Sequence, residues 1–192
     1  MTAVLPGSCA VALKEWALVS QALLRGEQLV LIRKGGLIEP GTGFEILSET
    51  FVLYPTFEHQ TVNYVREPYR GYFDEAAGWK PADGRLRVEV VGQAVFSTQT
   101  KDPDAVRRLA PFHIYNDEFL NQRLKWQPDM PLVIVAVRAF RLPAPQTIPL
   151  HAGYAGCKSW VNLEDAVSLH GARPVLDDAA FEPKLAKIRE LC

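Results

Sequence analysis

Apolar residues recur along the chain with two periods, one typical of strands and one typical of helices. Short runs rich in β-branched residues predict strands over Gln28–Arg33, Phe44–Leu47, Phe51–Tyr54, Arg85–Phe96, Leu132–Phe140, Trp160–Leu163 and Ala166–Leu169. Apolar residues at three- and four-residue steps predict helices over Val11–Leu24, Asn116–Trp126 and from Asp177 or Asp178 to Leu191. Asp102 as N-cap, followed by Pro103, predicts a further helix over Ala105–Leu109. The mixture predicts an α+β fold with one curved, mixed or antiparallel sheet and peripheral helices.

The length of the chain favours one domain. A chain of 192 residues is long enough for one well-buried core and short for two. We expect residues 1–10 to form a flexible arm and residues 11–192 to form the domain. Gly26 is the expected stop of the first helix, Pro55 is expected to end a strand, and Gly92 is expected to mark a bulge or bend.

Charge and cysteine content narrow the classes of function. The formal net charge is −1, so a polyanion such as RNA or DNA would have to bind a local basic patch. Three widely spaced cysteines indicate neither a disulfide framework nor a zinc cluster, and they favour a reducing cytoplasm. The four histidines lack metal-ligand spacing, and no segment has the pattern of a signal peptide or a membrane span. We therefore predict no cofactor, no metal and no membrane partner.

The segment Gly153–Trp160 has the composition of a binding loop. It combines two glycines with Lys158, Ser159 and the aromatic residues Tyr154 and Trp160. Backbone at glycine can approach a ligand closely, lysine can bind an anion, and an aromatic ring can stack on a base. A tight structural turn, with both rings in the core, has the same composition. The segment therefore supports either a ligand site or a turn.

A second glycine-rich segment carries two cations at its start. Arg33 and Lys34 precede a run of glycines that ends at Gly43, and this run lacks the lysine and hydroxyl residue that close a Walker loop. A simple hairpin connection is the alternative interpretation. We predict that Arg33, Lys34 and Lys158 form one anion-binding patch beside Tyr154 or Trp160.

Polar residues follow the strand that ends in Tyr54. After Pro55, the chain carries Glu58, His59 and Gln60 in succession. These groups could act in acid–base chemistry or bind the edges of bases. They could equally satisfy buried backbone groups where the sheet is interrupted. The candidate nucleic-acid-binding residues are thus Arg33, Lys34, Tyr54, His59, Gln60, Tyr154, Lys158, Ser159 and Trp160, and no residue is assigned as catalytic.

Five blocks of sequence resemble a bacterial family of unknown function, DUF1802: Ala12–Trp16, Leu31–Gly36, Leu53–Gln60, Leu124–Trp126 and Gly156–Trp160. The order of elements is also similar to the PUA-like superfamily, which includes the ASCH and EVE domains. That resemblance implies a pseudobarrel that binds RNA or modified DNA bases. Gln28 stands where ASCH proteins usually have a lysine, so the catalytic lysine proposed for some of them is not implied here.

Three hypotheses of function follow. The first is a cytoplasmic nucleic-acid or nucleotide binding module with a basic, glycine-rich, aromatic-flanked cleft. The second is a nucleic-acid-processing hydrolase that uses Glu58, His59 and Lys158. The third is a protein-interaction or adaptor domain without catalysis, which docks partners through Trp79, Trp126 or the last helix. A basic patch and a cleft favour the first, and a flat apolar surface favours the third.

Overall fold

A computed structural model describes residues 4–34 and 43–192. Within these residues the strands are β1 (Ser8–Trp16), β2 (Val30–Arg33), β3 (Thr50–Thr56), β4 (Arg85–Thr100), β5 (Leu132–Pro149), β6 (Trp160–Ser168) and β7 (Arg173–Pro174). The α-helices are α1 (Ala17–Leu24), α2 (Gly71–Ala77), α3 (Pro103–Arg108), α4 (Asp117–Lys125) and α5 (Asp178–Leu191). Short 3₁₀ helices span Val62–Tyr64, Glu67–Tyr69, Ala110–Phe112 and Ala152–Tyr154.

All seven strands belong to one mixed sheet, as expected. The hydrogen-bonded order is β2-β5-β4-β3-β1-β6, and β7 pairs with β5. β1 and β3 are parallel, whereas the other pairs are antiparallel. The path of the described strands runs from β2 to β6 and does not close into a ring. The molecule is thus a single α+β domain with an open sheet.

Apolar clusters cover both faces of the sheet. Along β3, Phe51 and Leu53 belong to one cluster with α1, α4 and α5, whereas Val52 belongs to a second cluster with β6. β1 divides in the same way, because Leu13 packs in the first cluster and Ala12 in the second. A strand that is covered on both faces loses the strict alternation of apolar and polar residues.

That double burial explains the largest error of the sequence interpretation. The helix expected over Val11–Leu24 is instead strand β1, followed directly by helix α1 from Ala17. β1 begins at Ser8, within the segment expected to be a flexible arm. Gly26 does end the helix, as predicted, with a φ of 69° and its N–H donating to the carbonyl of Leu23.

Several strand boundaries also differ from those expected. β3 continues through Pro55, which is tolerated because β4 pairs with β3 only as far as Val52 and requires no N–H there. β5 continues through the proline-rich segment to Pro149, β6 is one strand, and no strand forms at Phe44–Leu47. The register of β4 shifts on either side of Gly92 rather than at it. The run of glycines after Lys34, interpreted as part of an anion site or as a hairpin connection, lies largely outside the described residues.

The predicted starts of three helices are confirmed. The carboxylate of Asp102 accepts a hydrogen bond from the N–H of Asp104 at the start of α3. Asn116 caps α4 by accepting from the N–H of Phe119, and Asp177 caps α5 by accepting from the N–H of Ala180. Local sequence therefore sets where these three helices begin.

Candidate functional site

A cleft of about 570 Å³ lies where β1 and its parallel neighbour β3 end. Helix α4 and the turn before β6 contribute its other walls. We call it the strand-end cleft, and its lining residues are Lys14, Glu15, Trp16, Arg33, Thr56, Glu58, His59, Tyr64, Phe119, Gln122, Arg123, Trp126 and Gly156–Ser159. Of the predicted site residues, Arg33, His59, Lys158 and Ser159 are thus brought together, from parts of the chain more than a hundred residues apart.

Arg33 joins the two ends of the open sheet at the strand-end cleft. Its Nη1 donates to the backbone carbonyl of Lys14 at 3.2 Å and to Oε2 of Glu15 at 3.0 Å. Its Nη2 donates to the hydroxyl of Ser159 at 3.0 Å. β2 is one end of the sheet, and Ser159 directly precedes the other end, β6. The guanidinium therefore ties edges that no backbone hydrogen bonds connect among the described residues.

Lys14 and Lys158 bring two ammonium groups to the same turn. Nζ of Lys14 donates to the carbonyl of Gly156 at 3.0 Å, and this carbonyl also accepts from the backbone N–H of Lys158 at 3.1 Å. Nζ of Lys158 donates to the carbonyl of Gly153. Burial lowers the pKa of Lys14 from its ordinary value, and the like charge of Lys158 lowers it further, while Glu58 acts in the opposite direction.

Lys34 is buried and does not line the strand-end cleft. Its Nζ donates to the carbonyls of Arg123 and Leu124, at 2.9 and 3.2 Å, in the last turn of α4. A cation at this position satisfies carbonyls that lack intrahelical partners and complements the helix dipole. Lys34 therefore holds α4 in place. Burial lowers the pKa of Lys34 from its ordinary value, and the neighbouring charge of Arg123 lowers it further.

The exit of β3 lies at the strand-end cleft. Glu58 and His59 are exposed residues that line this cleft. His59 has a positive φ of 62° in the turn that leads the chain away from the sheet. Thr56 lines the strand-end cleft as well, and its hydroxyl donates to the carbonyl of Glu15 at 3.2 Å. Gln60 lies outside the lining, and its buried Oε1 has no hydrogen-bond partner among the described residues.

Tyr154 and Trp160, the two rings expected to stack on a base, have structural contacts. Tyr154 is buried, and its hydroxyl accepts from the N–H of Glu164 at 2.7 Å. Trp160 stacks on Phe44 at 5.8 Å, and its Nε1 donates to the carbonyl of Glu45 at 2.8 Å. Neither ring lines the strand-end cleft, and Tyr54 is also buried outside it, beneath the ammonium of Lys14.

The aromatic lining of the strand-end cleft comes from other residues. Tyr64 is half-buried and stacks on Trp16 with 6.2 Å between ring centroids and 5° between planes. Trp126 ends α4 and is half-buried, and no aromatic ring among the described residues packs on its indole. In the sequence, Trp126 was a candidate docking residue of the adaptor hypothesis, and no pattern pointed to Tyr64. Two basic residues, Arg123 and Lys125, precede Trp126 in the sequence. They were the signal that could have indicated a role for Trp126 in anion binding.

Arg123 is the fourth cation of the lining. Its guanidinium lies 5.1 Å from the centroid of the Phe119 ring. Burial lowers the pKa of Arg123 from its ordinary value, and the neighbouring charge of Arg33 lowers it further. Four cations thus line the strand-end cleft together with only two carboxylates, Glu15 and Glu58.

Two kinds of feature were sought among the described residues, a cluster of metal ligands and a membrane-spanning helix. No cluster of three or more His, Cys, Asp or Glu side chains in residues 4–34 and 43–192 could hold a metal ion. Among the same residues, no helix has the length and apolar character needed to span a bilayer.

The model of a family described as a domain of unknown function, DUF1802, matches residues 12–187. The chain belongs to the DUF1802 family. This assignment confirms the resemblance seen in the sequence blocks, and the match includes every residue that lines the strand-end cleft of this DUF1802 chain.

Two crystal structures of ZmASCH mutant proteins from Zymomonas mobilis are similar to this DUF1802 chain. The sequences are 12% and 13% identical, and each comparison has a TM-score of 0.46. The similar regions cover 81% and 84% of this chain, and 90% and 92% of the two ZmASCH chains. No curated protein matches the chain.

Proposed function

We propose that this DUF1802 protein is a nucleic-acid-binding module that holds a single strand of RNA or DNA in the strand-end cleft. The observation that carries the proposal is the concentration of four cations and accessible aromatic rings in one cleft of a chain whose net charge is −1. Local rather than overall positive charge is what such a chain needs to attract a polyanion.

Three of the four cations, Arg33, Lys14 and Lys158, have hydrogen-bond partners that separate their roles. Arg33 is paired with Glu15, which is a buried carboxylate, so this pair contributes little net charge to a ligand. Lys14 and Lys158 donate to backbone carbonyls, and neither forms an ion pair with a carboxylate of the described residues. We therefore assign phosphate binding to Lys14 and Lys158, with Arg33 as the residue that positions their turn.

Trp126 is the ring that we assign to base stacking. A stacked base requires a face that is not already covered by another ring. Tyr64 lies against Trp16, whereas Trp126 has no such partner among the described residues. Stacking on an aromatic side chain contributes about 1–3 kcal/mol per base and tolerates any base sequence. His59 and Gln122 supply hydrogen-bonding groups in the same lining.

Titration of a fluorescently labelled single-stranded oligonucleotide, followed by anisotropy, tests this proposal. Binding should weaken with salt, with a log–log slope of about −0.7 per neutralised phosphate, and Lys158→Ala should remove roughly one such contact. Trp126→Ala should weaken the binding free energy by about 1–3 kcal/mol and leave the salt slope nearly unchanged. Lys184→Ala, an exposed lysine of α5 outside the strand-end cleft, is the matched control for charge and should bind normally.

Trp160→Phe is the matched control for the aromatic change. This substitution removes the hydrogen bond from Nε1 to the carbonyl of Glu45, so it should lower stability and leave binding per folded molecule unchanged. Absence of binding to both RNA and DNA at low salt would refute the proposal and favour an adaptor role. Loss of binding in Trp160→Phe but not in Trp126→Ala would refute the assigned stacking residue.

A nucleic-acid hydrolase is the second candidate function. The observation that favours it is that Glu58, His59 and Lys158 all line the strand-end cleft. An imidazole can transfer protons, and ammonium groups can stabilise a developing negative charge on phosphate. End-labelled RNA and DNA incubated with the protein, with and without divalent cations, would reveal cleavage on a denaturing gel. Cleavage that is lost in His59→Ala, while binding is retained, would establish the hydrolase over the binding module.

A further inference from the structure

The turn before β6 gathers several hydrogen-bond donors around one small region. The carbonyl of Gly156 binds both Nζ of Lys14 and the backbone N–H of Lys158, so the two lysines are fixed to the same peptide group. The backbone N–H groups of Gly156 and Cys157 donate to no acceptor among the described residues. Gly156 has a φ of 88°, which glycine adopts without strain and which allows successive N–H groups to form an anion-binding concavity.

The charges around this turn leave the two ammonium groups without a carboxylate partner. Neither Lys14 nor Lys158 forms an ion pair among the described residues. Glu15 is engaged by Arg33 and by the N–H of Trp16. Glu58 is near enough to act on Lys14, but it is an exposed side chain beyond ion-pair distance. Two cations held together in this way favour a ligand with two negative charges over a ligand with one.

We propose that the turn at Gly156–Lys158, together with Lys14, binds the terminal phosphate monoester of a nucleic-acid strand. A phosphate monoester has a charge of about −1.5 to −2 at neutral pH and three terminal oxygens that accept hydrogen bonds. An internal phosphodiester has one negative charge and two such oxygens. The monoester can therefore offer a separate oxygen to each lysine and to a backbone N–H, and it has more negative charge than the diester to balance the two ammonium groups.

This inference rests on the proposed function and specifies which part of the strand the cleft recognises. The end of the strand would enter with its phosphate at the turn, and the adjoining base would reach the ring of Trp126. A volume of about 570 Å³ suits a terminal nucleotide, because pockets of roughly 300–1,000 Å³ accommodate small ligands. The remaining nucleotides would lie outside.

Competition among oligonucleotides of one sequence provides the test. The four forms have a 5′-phosphate, a 3′-phosphate, hydroxyls at both ends, or a 5′-phosphate esterified with methanol, which removes one charge. We expect the 5′- or the 3′-phosphate form to bind at least about tenfold more tightly than the hydroxyl form, because the terminal phosphate adds charge-assisted hydrogen bonds. The better of the two identifies the recognised end. If it is the 5′ end, the methyl ester should lose most of the gain.

Lys158→Met and Lys14→Met should each reduce the preference for the phosphorylated form to within about twofold. Lys184→Met, in exposed α5, should retain it. Lys158 lies in a turn, whereas Lys14 lies within strand β1, so the Lys158 variant remains informative if Lys14→Met is unstable. Equal, measurable binding of all four oligonucleotides would overturn the inference and leave the binding function standing. Binding of none of them would overturn both.

Discussion

Replacing Arg33 with methionine should destabilise the whole sheet rather than only the strand-end cleft. Methionine retains much of the apolar stem but removes every donor to Lys14, Glu15 and Ser159. The side chains of Arg33 and Glu15 are 14% and 7% exposed, so this is a buried pair. Loss of one member leaves the Glu15 carboxylate buried, with the N–H of Trp16 as its remaining donor.

The size of the effect follows from the burial of the pair. Removing one partner of a buried ion pair costs about 3–5 kcal/mol, because the other charge stays desolvated. For a domain of this length, each kcal/mol lowers Tm by about 2–4 °C, so we expect a decrease of roughly 6–20 °C. Glu15→Gln alone should lower the free energy of unfolding by about 1–3 kcal/mol. The double variant should be more stable than the sum of the single effects by at least about 1 kcal/mol, since it leaves no buried carboxylate.

Urea denaturation of the four proteins, followed by circular dichroism, measures this cycle. Arg107→Met is the matched control, because Arg107 forms its ion pairs with Asp104 and Asp117 on the surface, and it should have little effect. Strict additivity of Arg33→Met and Glu15→Gln would refute the coupling. A decrease in stability for Arg33→Met no larger than that for Arg107→Met would refute the idea that Arg33 holds the sheet edges together.

Two further predictions concern packing and pH. Gly92→Ala would place a methyl group 2.5 Å from Cε2 of Phe51 and 3.0 Å from Cγ1 of Val137, so it should cost about 1–3 kcal/mol in thermal unfolding. Gly71→Ala should leave stability nearly unchanged, because its added methyl group would have no neighbour within 4 Å. Equal losses of stability in the two variants would contradict this steric argument. Burial lowers the pKa of His113 from 6.5 to about 4, so the unfolded chain takes up a proton that the folded chain excludes. Stability should therefore fall by about 2 kcal/mol between pH 7 and pH 5 through this residue. His113→Leu should flatten the pH dependence of urea unfolding and the exposed His170→Leu should not; an unchanged slope in His113→Leu would exclude this cause.

Local sequence was enough to predict the strands and helices whose patterns are unambiguous. The β-branched run in β2, the Asp102 cap of α3 and the starts of α4 and α5 depend on neighbouring residues, and these predictions are confirmed. β1 could not be recognised, because burial on both faces removes its alternation and leaves apolar residues at spacings that also fit a helix. Double burial is a property of the tertiary fold, so no local pattern encodes it.

The candidate site could be predicted only in part, for the same reason. Composition pointed to the turn with Lys158 and to the exit of β3 with His59, and both line one cleft. Lys14 lay within a segment interpreted as a helix, so its position at a strand end was missed. The meeting of Trp126 with these residues depends on how α4 packs on the sheet, which the sequence around it does not specify.

The adjacent residues Arg33 and Lys34 give the register of β2 an unusual importance. Consecutive residues of an extended chain point to opposite sides. The Arg33 side chain binds Glu15 and thereby connects β2 to β1 at the strand-end cleft. The Lys34 side chain donates to a carbonyl in the last turn of α4. A one-residue insertion in β2 would exchange the two directions. It would therefore remove both the contact of Arg33 with Glu15 and the contact of Lys34 with α4. Among homologous chains, length variation inside this four-residue strand should therefore be the rarest kind of change, even where the residues themselves vary.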